Sequence, residues 1–282
     1  MSESQTIKAE LAPARDAAAP RNGWRRFEPL WLGAGSIVLL LLVWELIPQL
    51  VTLSAGTKLF FTTPSQVAGT LWRLFATGEV WRPLGVSASG FAVGLVLAVA
   101  VGLPLGVLIG RSRTLNAMFD PFITAFNATP RLVFLPLVML WFGLGLWSKV
   151  VIVFIGAVFP ILINTYEGVR NADKLLINVV RSFGAKEWDV ARLVVVPNSM
   201  PYIIAGLRLA IGRAVLGVVV AEFFGSEAGL GVMMVQAAGR YQVDIVFSGL
   251  IIFAVLSLAM TALVQILENR LSRWRPQHAA EY

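Results

Sequence analysis

The chain has no cysteine, a single histidine and few charges: of its 282 residues only 14% are Asp, Glu, Lys or Arg. Without cysteine there is no disulfide and no thiolate metal site, and His278 stands in a polar tail where no ligand cluster can assemble around it. No G-x-x-x-x-G-K-[ST] segment occurs, so the chain lacks the loop that cradles nucleotide phosphates and cannot hydrolyse ATP by that route. No repeat of 20 to 50 residues is present, and the only compositionally biased stretch is an Ala-rich start.

What is abundant is apolar: 57% of residues are hydrophobic and the mean hydropathy is +0.76, the signature of a bilayer protein. At about 20 apolar residues per crossing, the length accommodates about six helical spans. The patterning places them near 29–52, 84–110, 118–145, 149–166, 201–224 and 245–267. The third run is interrupted by Asn127, Pro130 and Arg131 and reads as kinked or broken. Residues 1–27 and 273–282 read as polar tails flanking a membrane domain over 28–272. The first apolar run is too long for the core of a cleavable signal peptide. The segment "TTPSQVAGTLWRLFATGEVW" reads as a Pro-started amphipathic helix at the interface.

The net charge of +7 would suit nucleic acid in a soluble protein, but here topology accounts for it and no nucleic acid is expected. With an even number of spans, one side collects the tail cations, Arg111 and Arg113, five cations of the 167–200 loop, and Arg270, Arg273 and Arg275. The other side collects only Lys58, Arg73, Arg82, Lys149 and Arg240. The positive-inside rule therefore puts both termini and the 167–200 loop in the cytoplasm. Trp72, Trp81, Trp141, Trp147 and Trp274 fall near span boundaries and read as interfacial anchors. In the second span Gly90, Gly94, Ala98, Gly102, Gly106 and Gly110 recur every four residues, a stripe suited to tight packing within the chain or to a dimer seam.

The 167–200 loop is patterned. Residues 173–183, "DKLLINVVRSF", put Leu176, Val179, Val180 and Phe183 on one helical face; Gly184 caps that helix, "AKEWDVARL" makes a second, and Pro197 and Pro201 frame the return to the membrane. Such a pair, projecting Lys186, Glu187 and Trp188, either docks in a groove on a partner or packs on its own membrane domain.

Gly184, nine residues, Val194, one residue, then Val196 and Pro197 resembles the "G, nine residues, I-x-L-P" loop of bacterial binding-protein-dependent ABC transporter permeases. "PYIIAGLRLAIGRAVLGVVVAEFFGSEAGLG" and "LPLVMLWFGLG" resemble the nitrate, sulfonate and taurine branch, and the resemblance covers about 64–275. One departure is that the Glu-Ala-Ala triplet of other branches falls on Asn178, Val179 and Val180, so no glutamate contact is available at 178. The resemblance implies an all-α polytopic permease whose coupling segment, with Gly184 as elbow and Ala185, Lys186, Glu187, Trp188 and Pro197 in its frame, inserts into a separate ABC ATPase subunit. It further implies ATP and Mg bound by that ATPase pair, a periplasmic or lipid-anchored solute-binding protein, two permease copies as a homodimer or, alternatively, a heterodimer, and the bacterial inner membrane as location.

Charges within spans are costly and are candidates for function. Arg131 either faces the pathway and attracts an anion or satisfies carbonyls freed at the helix break; Asn127 and Arg213 are further pathway candidates. Glu222 either lines the outer gate or pairs with a base such as Arg131. Arg208 snorkels to the interface, whereas Asp120 and Glu45 are assigned to structure. A secondary transporter or channel without an ATPase is the main alternative; it would need coupling carboxylates, and only Glu222 and Asp120 are at hand. An intramembrane enzyme would need a nucleophile with its base or a metal cluster, and no span carries His or Cys.

Overall fold

The computed structural model describes residues 28–50 and 54–271; the tails read at 1–27 and 273–282 lie outside the described residues. Residues Met1–Ser54 and Ala55–Tyr282 form two separate compact units. The first contains α1 (Glu28–Leu50), an apolar helix with Pro48 in its last turn.

The second unit begins with α2 (Ala55–Lys58) and α3 (Pro64–Ala76). The start of α3 is written in its sequence: Pro64 occupies the first turn, and Thr63 and Gln66 form a reciprocal capping box. Val67, Thr70 and Leu74 are buried, so this amphipathic helix is packed into the domain rather than resting only on lipid.

Next come α4 (Trp81–Arg111), α5 (Arg113–Ala128), a 3-10 turn (Arg131–Phe134), α6 (Leu135–Phe142) and α7 (Leu146–Arg170). The α5 and α6 axes meet at 84°, making a broken crossing as the sequence pattern indicates. Pro130 causes the break by driving Thr129 to an extended ψ of 129°. The small-residue stripe of α4 lies on α7: a Cβ on Gly94, Gly106 or Gly110 would come within 2.6 to 2.7 Å of the Cβ of Val153, Thr165 or Val169. The stripe is therefore an intramolecular seam, and because both numberings rise together, α4 and α7 run parallel across the returning α5–α6 pair.

The chain then turns through α8 (Lys174–Ser182), α9 (Glu187–Val190) and one π turn (Ala191–Val195) into α10 (Val196–Gly225). Here the second short helix read in "AKEWDVARL" and the span read from 201, with Pro197 and Pro201 framing the return to the membrane, prove to be joined. Helical structure is continuous from Glu187 to Gly225. Pro197 sits in the first turn of α10, where its missing N–H is harmless, and the π turn re-registers the backbone just before it, with Ala191, Val194 and Val195 buried. The non-helical part of the loop shrinks to 171–173 and 183–186.

Helix α10 runs antiparallel on the other side of α7, with Gly206 against Asn164 and Gly217 against Val153. Helices α11 (Leu230–Gly239) and α12 (Val243–Leu271) complete the chain. Among the described residues, five helices are long and apolar enough to cross a membrane, and the broken α5–α6 pair makes a sixth. The C-terminal end of α12 and the α8–α9 turn lie at the same end of the bundle, because α7 and α12 both run away from the end where α11 sits.

Candidate functional site

At the α11 end, four elements converge on one carboxylate. Glu222 of α10 accepts from Lys149 Nζ of α7 (2.9 Å), from Ser87 Oγ of α4 (2.8 Å) and from the Gly231 N–H that opens α11 (2.8 Å). Lys149 also donates to the Ala228 carbonyl, and the Leu230 N–H donates to Ser87 Oγ. The helix start brings partial positive charge to the carboxylate as well as a donor. Gly229 (φ +142°) is required by this closeness, since a Cβ there would fall 2.0 Å from Glu222 Oε1. Both charged side chains are buried, at 1% and 0% exposure, and every strong hydrogen-bonding demand of the carboxylate is met.

Two sequence expectations are corrected by this network. Lys149, counted among the charges of the outer side, is enclosed between helices, and it is the base with which Glu222 pairs. Hydropathy counting assigns a lysine at the start of an apolar run to the loop; its partner is 73 residues away and invisible to that count. The available signal was the pairing of that lysine with the only glutamate inside a later span, followed by Gly229 and Gly231, which leave room for it.

Nearer the middle of the bundle, Arg213 Nη1 donates to Asn127 Oδ1 at 3.0 Å, joining α10 to the end of α5 just before the break. Arg213 is twelve residues, about 18 Å, from the Gly225 end of α10, well inside the bilayer thickness. The two side chains line a cavity of about 490 Å³ together with Thr129, Pro130, Ile152 and Gly156. Among the described residues no carboxylate lies within ion-pair distance of Arg213, so its charge is held by a neutral amide and faces the cavity. Glu222 is nine residues further along, which places it on the opposite face of α10. Arg131 begins the 3-10 turn beside this cavity, and its side chain lies outside the described residues. The structure thus brings Asn127 and Arg213 together and keeps Glu222 apart. Arg208 spans to Gln265 (2.7 Å) and Glu268 (2.6 Å) of α12.

At the opposite end is the elbow. Gly184 has φ +82°, the left-handed conformation that closes a helix, and its N–H donates to the Arg181 carbonyl. Glu187 accepts from Arg181 (2.8 Å) and Arg111 (3.1 Å), tying the elbow to the end of α4. Ala185 packs with Val169, Ala172, Val190 and Val195. The face of α8 that meets the chain consists of Ile177 and Val180, so the expected grouping of Leu176, Val179, Val180 and Phe183 is divided: Leu175, Leu176, Val179 and Phe183 point away. Lys186, Glu187 and Trp188 are exposed, with Phe183 86% and Trp188 73% accessible, which makes an apolar surface around the elbow.

Residues 102–273 match the family described as binding-protein-dependent transport system inner membrane component. The chain is 35% identical to a putative aliphatic sulfonates transport permease protein, SsuC, of Bacillus subtilis, over 95% of this chain and 98% of that one. It is 30% identical to the taurine transport system permease protein TauC of Escherichia coli, over 89% and 92%. In fold it is similar to a chain of the inward-facing MetNI methionine ABC transporter, with a TM-score of 0.55 at 21% identity, covering 67% of this chain and 92% of that one. The chain belongs to the binding-protein-dependent transport system inner membrane components, the permeases of ABC transporters.

Proposed function

We propose that this permease is the membrane subunit of an ATP-driven importer that moves a small anion, of the sulfonate, taurine or nitrate kind, inward by alternating access. The observation that carries the cargo class is Arg213: a mid-membrane cation without a carboxylate partner among the described residues, presented by Asn127 to a cavity of about 490 Å³. The names of the sulfonate and taurine relatives agree with it. Asn127, Arg213 and the adjoining Arg131 belong to the path, and Glu222 anchors the tie at its far end.

Energy comes from outside the chain. A pair of ABC ATPase subunits binds ATP and Mg and grips the elbow at Gly184, Ala185, Lys186, Glu187 and Trp188, while Pro197 starts the helix that carries the movement to Arg213. Two ATPases require two elbows, hence two permease subunits, as a homodimer of this chain or a heterodimer with a related one. A periplasmic or lipid-anchored solute-binding protein delivers cargo at the α11 end. The elbow end then faces the cytoplasm, together with both termini, in the inner (plasma) membrane of a bacterial cell, in keeping with the excess of Lys and Arg there.

Uptake in a strain deleted for the gene tests this reading. Loss of labelled taurine, alkylsulfonate or nitrate uptake, restored by the gene, sensitive to orthovanadate and resistant to a protonophore, is the expected result. Uptake abolished by the protonophore and indifferent to orthovanadate would replace the importer by a secondary transporter. Loss confined to a solute without a sulfonate, nitrate or other anionic group would overturn the cargo class.

A further inference from the structure

Beneath the elbow lies a recess of about 930 Å³. A Cβ on Gly110 would meet Val169 Cβ at 2.7 Å, so α4 and α7 end side by side and release Arg111 and Arg170 at its wall. The first turn of α5 brings Arg113, and α8 turns Lys174, Ile177 and Arg181 inward, which is the face opposite to Leu175, Leu176, Val179 and Phe183. Of these cations, Arg111 and Arg181 share one carboxylate, Glu187, which offsets one of their two charges. Arg113, Arg170 and Lys174 have no ion-pair or hydrogen-bond partner among the described residues, and Asp120 is the remaining carboxylate of the lining.

Depth decides what such a site meets. Helix α4 has 31 residues and α7 has 25, about 46 and 37 Å, so with a hydrocarbon core of about 30 Å their ends stand among the lipid headgroups. A general excess of cations on one side of a membrane protein accounts for their number. It does not account for convergence from four elements on one recess whose wall includes the N-terminal turn of a 16-residue helix, Ser112 capping it.

We propose that this recess binds the phosphate of an anionic phospholipid headgroup, so that the elbow rests on a lipid of the surrounding leaflet. The occupant bridges Arg113 of α5, Arg170 of α7 and Lys174 of α8, and it joins the helix that presents the partner-facing surface to the end of the bundle. Transport then depends on anionic lipid through the same element that meets the ATPase. That the leaflet is the cytoplasmic one rests on the orientation proposed above; the binding itself does not.

The test uses the full chain in phosphatidylcholine nanodiscs doped with phosphatidylglycerol, with retained lipid counted by native mass spectrometry. The wild-type chain is expected to retain phosphatidylglycerol over phosphatidylcholine, with preference reduced roughly tenfold in Arg170→Gln/Lys174→Gln and unchanged in Arg240→Gln at the other end. Equal loss in Arg240→Gln, or no loss in the double variant, overturns the site. Inorganic phosphate at millimolar concentration is expected to leave the lipid in place; displacement by phosphate would assign the recess to a soluble anion instead. The thermal midpoint in the same discs reports folding, and Arg113→Gln repeats the test should the double variant unfold. Neither ATPase nor cargo is present, so failure here leaves the importer reading standing, and failure of the uptake experiment leaves this one.

Discussion

Lys149 and Glu222 meet at 2.9 Å with neither side chain open to solvent, and the pair ties α4, α7, α10 and the start of α11 into one joint. A buried ion pair is a weak source of net stability, because desolvation offsets attraction, yet removing one member strands the other.

Lys149→Met is therefore expected to destabilise the protein by about 3–5 kcal/mol, since Glu222 would keep Ser87 and Gly231 but lose its counter-charge. Lys149→Met/Glu222→Leu is expected to recover a large part of that loss. Thermal unfolding in detergent with a double-mutant cycle measures it; additive effects would contradict the joint described here.

The seam between α4 and α7 predicts sharp intolerance at its glycines. Gly106→Ala would press a methyl to 2.6 Å from Thr165 Cβ and 2.8 Å from the Leu162 carbonyl, and about 1–3 kcal/mol of overpacking is expected. Gly69→Ala, with nothing within 4 Å, is the matched control and is expected to be neutral or slightly stabilising. Equal stability of the two variants would mean that α4 and α7 do not touch as described.

For cargo, Arg213→Gln is expected to lower the uptake rate for an anion about ten- to a hundredfold, the effect of removing one hydrogen bond to a charged group. Asn127→Asp tests the same charge without touching the arginine: a carboxylate at 3.0 Å would neutralise the cavity and should depress anion uptake similarly. Unchanged kinetics in both variants would remove Arg213 from the path.

At the elbow, Gly184→Val must place a β-branched residue at φ +82° although no neighbouring atom lies within 4 Å, so its effect is one of backbone conformation alone. The variant is expected to insert normally and lose uptake, while Gly184→Asn, which tolerates that φ, is expected to keep most of it. Full uptake by the valine variant would show that the elbow transmits nothing.

Much of this architecture was legible from residue order. Pro130 announced the break between α5 and α6, the four-residue spacing of glycines announced a packing face without saying what it meets, and Pro64 announced the start of α3. What escaped were properties of pairs and surfaces. Periodicity collected Leu176, Val179, Val180 and Phe183 as apolar, but which of them meet the chain depends on Val169, Ala172 and Val195, brought in by the fold. Pro197 and Pro201 marked the return to the membrane, but local rules cannot see the π turn that accommodates the first or the packing that carries the helix past the second. Arg213 and Asn127 each stood out as polar residues in a span; their 3.0 Å contact across 86 positions did not.

Whether an ATPase grips the elbow is read by a photoreactive group at Lys186 in native membranes, with mass spectrometry of what it captures. Lys186 is exposed between Phe183 and Trp188 on the surface that the chain leaves uncovered. A crosslink to a nucleotide-binding subunit is the expected result. Crosslinks confined to this chain, from an intact and inserted protein, would contradict it.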